Sequence, residues 1–145
     1  MNTTFRKSHL GIALGTVIFA ASTGIAMAAQ ITLSGDQEVP PVSSSAKGSG
    51  TINVGEDKVI SGSVKITGMN ANAAHIHEGA PGTSGPALVP LRKSGDAWSV
   101  PPGTKLTDEQ YQSYLAGKLY VNVHSPKHKD GEVRGQITPG ASDPK

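Results

Sequence analysis

Leu119-Tyr120-Val121-Asn122-Val123-His124 alternates apolar and polar side chains, and successive side chains of a strand point to opposite faces of a sheet. Val121 and Val123 therefore share one face, and Tyr120, Asn122 and His124 share the other. A partner strand follows at Glu132–Ile137 after the turn-rich Ser125-Pro126-Lys127-His128-Lys129-Asp130-Gly131. A hairpin that sets His124 against Glu132 puts Asn122 opposite Arg134 and Tyr120 opposite Gln136. Those six residues then form a polar face, with Val121, Val123, Val133 and Ile137 on the core side.

The same alternation runs through most of the chain. Gln30–Leu33, Thr51–Val54, Val59–Ile66, Ala73–His77, Ala87–Leu91 and Ala97–Val100 all read as short strands. Gly55-Glu56-Asp57-Lys58 is a turn that makes a hairpin of the second and third. Pro40-Pro41 bars a central strand and marks an edge or a crossing between sheets. Gly79–Pro86 is a loop expected to cross the surface. Only residues 107–116 read as a helix: Thr107 and Gln110 form a capping box, Gly117 suits the stop, and Tyr111, Tyr114 and Leu115 supply the apolar side. The expected fold is all-β, with seven or eight short strands and one short helix, arranged as a sandwich or barrel. Trp98 is expected in the core.

Residues 1–28 have the pattern of an export leader. Arg6, Lys7 and His9 form a basic start, Leu10–Ala21 is apolar, and Ala26-Met27-Ala28 is a small-residue cleavage site. The run is too short and too rich in Ala, Gly and Thr for a membrane span, so no stable span is expected after cleavage. The expected destination is the periplasm or the exterior. Cleavage takes Arg6 and Lys7 from 13 basic residues and none from the 11 acidic ones, leaving a mature net charge of zero. A basic footprint for nucleic acid is absent. The remaining domain, followed by a flexible tail over 139–145, has the length of one ordinary unit. The chain has no cysteine, which excludes disulfides, thiolate metal sites and cysteine nucleophiles. Any metal must be held by imidazole and oxygen.

His75-Ile76-His77 obeys the strand rule as well, so the two imidazoles share a face while Ile76 takes the core. If that strand neighbours Leu119–His124, then His75, His77 and His124 form a three-imidazole site suited to copper or zinc. His128, in the following turn, is a candidate fourth ligand. Asn122, Glu132 and Arg134 are candidates for orienting the imidazoles, with cross-strand pairing as their alternative role. Glu38 could serve as a ligand or base, but its place before Pro40-Pro41 favours a backbone role. The serines lack a Gly-x-Ser-x-Gly context, so no catalytic residue is assigned.

Four blocks resemble the CHRD domain, first recognised as a repeat in chordin, a secreted antagonist of bone morphogenetic proteins. They are Leu33–Pro41, Ala74–His77, Gly117–His124 and Gly131–Ile137, in the family's order and spanning Ile31 to Thr138. The resemblance implies an immunoglobulin-like β-sandwich in an exported protein, without a settled activity. His75-Ile76-His77-Glu78 also looks like the copper-ligand strand of copper/zinc superoxide dismutases. The loop Gly79–Pro86 carries no His or Asp and the chain no Cys, so their zinc site is absent. The expectation is a non-enzymatic binding module for a protein or a metal ligand. The alternatives are a small copper-dependent redox enzyme and a structural or adhesive module without metal.

Overall fold

The computed structural model describes residues 29–140 together with Ile18. The rest of the predicted leader and residues 141–145 of the predicted tail lie outside the described residues. Among the described residues nine strands are present: β1 (Ala29–Ser34), β2 (Lys47–Val54), β3 (Ile60–Thr67), β4 (Ala73–Glu78), β5 (Ala87–Pro90), β6 (Arg92–Ser94), β7 (Ala97–Ser99), β8 (Leu119–His124) and β9 (Val133–Ile137). One α-helix, α1 (Asp108–Leu115), joins β7 to β8, and a 3₁₀ turn at Gly35–Gln37 follows β1.

The strands form one antiparallel sheet in the order β5-β4-β8-β9-β1-β2-β3-β7-β6. Its two edge strands are consecutive in the chain, with only Leu91 between them. Consecutive Cα atoms are about 3.8 Å apart, so the two ends of the sheet must lie close together. The sheet is therefore curled almost into a closed barrel around one core. The all-β expectation holds, and of the two arrangements it left open the barrel-like single curled sheet is present rather than the two-sheet sandwich that the resemblance implied. Sequence alternation could not decide this, because inward and outward positions alternate in both architectures.

The core carries side chains from every strand except the exposed β6, with Val89 supplied by β5. Ile31, Leu33, Ile52, Ile60, Val64, Ile76, Leu119, Val121, Val123, Val133 and Ile137 are all buried, and Trp98 joins them. The expected register of the last hairpin is present, with Asn122 opposite Arg134 and Tyr120 opposite Gln136. The β2–β3 hairpin forms as expected, closed by Lys58 N–H donating to Gly55 C=O. Beyond the expected strands, the short β6 pairs with β7. Its Arg-Lys-Ser sequence has no apolar alternation to reveal it.

The helix starts where its cap predicts. Thr107 Oγ1 accepts from Gln110 N–H, and Gln110 Oε1 accepts from Thr107 N–H; Gly117 follows in a left-handed conformation, φ +71°. Tyr114 is buried and Tyr111 packs against the core, whereas Leu115 points outward, contrary to the expected apolar face. Among the described residues no helix is long and apolar enough to cross a membrane.

Candidate metal centre

β4 lies directly against β8, with His77 opposite Tyr120, His75 opposite Asn122 and Ala73 opposite His124. His124 is thus the diagonal neighbour of His75, close enough for cross-strand side chains to meet. The adjacency required by the sequence reading is met. The His75 and His124 rings are 5.1 Å apart between centroids, His75 and His77 5.7 Å, and His77 and His124 6.3 Å. One ring nitrogen from each residue lies within 4.8 Å of the others. Among the described residues, this is the one group of three or more His, Asp or Glu side chains so placed.

Two backbone carbonyls set the tautomers. Gly85 C=O lies 3.0 Å from His77 Nδ1, and Lys129 C=O lies 2.8 Å from His124 Nδ1. A carbonyl only accepts, so each Nδ1 carries the proton and each Nε2 presents a lone pair. His77 Nε2 is buried and has no hydrogen-bond partner. His75 Nδ1 is 3.2 Å from His124 Nε2 and shares its proton with that lone pair. Histidine ligands commonly have the second ring nitrogen tied in this way, which fixes the ring and raises the basicity of the donor.

Burial holds the His75 and His77 pKa values below the ordinary imidazole value. For His75, the neighbouring His124 and His77 add to the effect. For His77, the Gly85 hydrogen bond opposes it, while His124 and Arg134 reinforce it. The neutral, ligating form is therefore favoured.

The outer face is roofed over, which sequence reading did not anticipate. The loop Gly79–Pro86 lies back on the sheet. Arg134 donates from Nη1 to Thr83 C=O (2.6 Å) and from Nη2 to Ala80 C=O (3.0 Å) and Gln136 Oε1 (3.1 Å). Gln136 donates to Gly79 C=O, and Gly85 N–H donates to the Tyr120 hydroxyl. Tyr120 stacks on His77 at 5.0 Å and takes the Arg134 guanidinium 3.5 Å from its ring centre. Tyr120, Asn122 and Arg134 are consequently buried rather than solvated. Gly85 has to be glycine, because a Cβ there would sit 1.6 Å from Glu78 C=O.

The remaining candidates are placed differently. His128 is outside the imidazole group; it lines a separate cleft with Ser43, Ser44, Ser125 and Glu132. The turn around it contributes Lys129 C=O to His124 instead of a fourth imidazole. Glu132 accepts from Ser44 Oγ at 2.7 Å. Burial opposes its charge, but bonds from Ser125 and Ser44 keep its carboxyl below the usual range. Arg134 reaches the centre through Tyr120 and the loop.

Asn122 donates to Glu38 Oε1 at 2.6 Å, while its own Oδ1 is buried without a partner. Glu38 is the residue most underestimated in the sequence. Its side chain is 7% exposed, and burial raises its pKa to about 7, with Arg134 pulling the other way. The segment carrying it turns at a cis Val39–Pro40 bond and folds over the outer face. A raised folded-state pKa means stability that is fully present below about pH 4.5 and lost as pH rises through 7. Glu38→Gln keeps the acceptor and removes the titration. In metal-free protein, its stability relative to the unaltered chain, followed by thermal melting, is expected to rise between pH 5 and 8 by up to about 3 kcal/mol. A difference that does not change with pH would refute this account of Glu38.

Residues 29–137 match the profile of the CHRD domain. The chain belongs to the CHRD domain family. The match covers β1 to β9, hence both the curled sheet and the imidazole group on it. No curated protein and no solved structure matches the chain.

Proposed function

We propose that this CHRD domain is an exported, non-enzymatic binding module whose His75, His77 and His124 hold a copper or zinc ion. One observation carries the reading: three imidazoles converge within 4.8 Å, and the buried Nε2 of His77 has no partner. An unsatisfied buried acceptor costs about 1–3 kcal/mol, and a cation supplies what it lacks. The donor set fits the group, since neutral imidazole is a good ligand for both metals. Export is supported by the leader pattern of residues 1–28.

Calorimetric titration of the chain from Ala29 with Cu(II) and with Zn(II) tests the reading. Saturable binding of one ion per chain is expected, with submicromolar affinity. Protons compete for the same lone pairs, and the His75 and His77 pKa values lie below 6.5. Affinity should accordingly hold near neutral pH and fall below about pH 6.5. No saturable binding at pH 7.5 would sink the proposal, and superoxide turnover by the copper-loaded protein would replace the binding module with a redox enzyme.

A further inference from the structure

Resting on the metal reading above, we propose that the centre is selective for monovalent copper, binding Cu(I) more tightly than Cu(II) or Zn(II). Donor type does not discriminate, because imidazole suits copper and zinc alike. Charge and donor number do.

The three ligands are neutral imidazoles, and the group contains no carboxylate. No ligand therefore neutralises the ion. The fixed charge beside the site is positive. The Arg134 guanidinium lies 3.5 Å from the centre of the ring that stacks on His77. It is 2% exposed and tied to Thr83, Ala80 and Gln136, so it cannot swing into solvent. Coulombic repulsion scales with the charge of the ion, so a divalent ion meets twice the opposition of a monovalent one.

The neighbouring carboxyls do not reverse this. Glu38 faces Arg134 but is half-protonated near neutral pH. Glu78 follows His77 on the opposite strand face and accepts from Ser113 of α1. Glu132 is engaged by Ser44 across a separate cleft.

Donor number points the same way. Zn(II) takes four ligands in tetrahedral geometry, and Cu(II) favours tetragonal surroundings. Cu(I) is satisfied by three donors in a plane. With metal–nitrogen bonds of about 2 Å, trigonal and tetrahedral ions need their donors roughly 3.5 and 3.3 Å apart, so the spacing admits an ion of either geometry and the number of donors decides between them. His75 Nδ1 and His124 Nε2 are already 3.2 Å apart, so an ion entering between them displaces the proton they share, and the whole group is within 4.8 Å. The fourth imidazole, His128, lines the other cleft, and burial of His77 Nε2 restricts water on that side.

The test uses the unaltered chain from Ala29. Cu(I) affinity is measured anaerobically against a chromophoric Cu(I) chelator, Cu(II) and Zn(II) affinities against chelators of their own, and Cu(I) coordination by X-ray absorption. Cu(I) is expected to bind at least about a hundredfold more tightly than either divalent ion, with three nitrogen neighbours. Equal or tighter binding of Cu(II) or Zn(II) would overturn the selectivity and leave the metal centre standing. Failure of all three ions to bind would overturn both.

Discussion

Replacing His75 and His77 together with alanine is expected to lower the affinity for Cu(II) and Zn(II) by at least about a hundredfold, with the fold intact. The double variant leaves His124 as the only imidazole of the group, and outer-shell changes alone commonly cost tenfold to a hundredfold. The fold survives because neither residue belongs to the core. Ile76 between them stays buried on the inner face, and the backbone pairing of β4 with β8 needs no side chain. The stability cost is the Gly85 hydrogen bond, the His75–His124 hydrogen bond and the stack on Tyr120, together about 2–3 kcal/mol.

A pH series gives that experiment an internal control. His75 and His77 have folded-state pKa values below the ordinary value of 6.5. Their contribution is present above 6.5 and lost as pH falls through the folded values. The unaltered metal-free protein should therefore lose stability in mild acid more steeply than the variant does. Calorimetric affinities with circular dichroism on the same samples check both parts. Equal affinities in the two proteins would remove His75 and His77 from the centre.

Sequence alone revealed what depends on neighbours in the chain. The Val121–Val123 alternation fixed the inward face of β8, and a hairpin that sets His124 against Glu132 carried the register that places Asn122 opposite Arg134. Thr107 and Gln110 located the helix start. The three histidines were legible as same-face residues, while their convergence depended on β4 pairing with β8, a contact between segments about forty residues apart. Closure of the sheet was not legible either, because it requires the edges on either side of Leu91 to meet. The greatest shortfall concerned the polar face. Tyr120, Asn122 and Arg134 alternate like solvent-facing residues, and only the return of Gly79–Pro86 and of the Glu38 segment buries them. Glu38 carried a single local signal, its place before Pro40-Pro41, and that signal concerned the backbone rather than the carboxyl.

Truncating Arg134 to alanine is expected to destabilise the domain by about 3–5 kcal/mol, the largest single-residue effect on this face. Arg134 is among the largest fully buried side chains, so its removal opens a cavity between sheet and loop. It also leaves Thr83 C=O and Gln136 Oε1 without a donor, each at about 1–3 kcal/mol where water cannot enter, whereas Ala80 C=O loses one bond and keeps those from Thr83 N–H and Oγ1. The cation–π contact with Tyr120 goes as well. The total stays below the sum of these parts, because a released loop lets water reach the carbonyls. Lysine should restore little, since one ammonium cannot reproduce the planar fork that serves two carbonyls and an amide at once. The melting temperature should fall by at least about 10 °C, and the Gly85 amide, bonded to the Tyr120 hydroxyl, should lose hydrogen-exchange protection. A loss below about 1 kcal/mol would show that the loop holds without its anchor. In the expected case the damage reaches the centre, because Gly85 C=O orients His77 and the released loop leaves that imidazole free to change tautomer. Metal affinity should then fall in the arginine variant even though all three ligands remain in the chain.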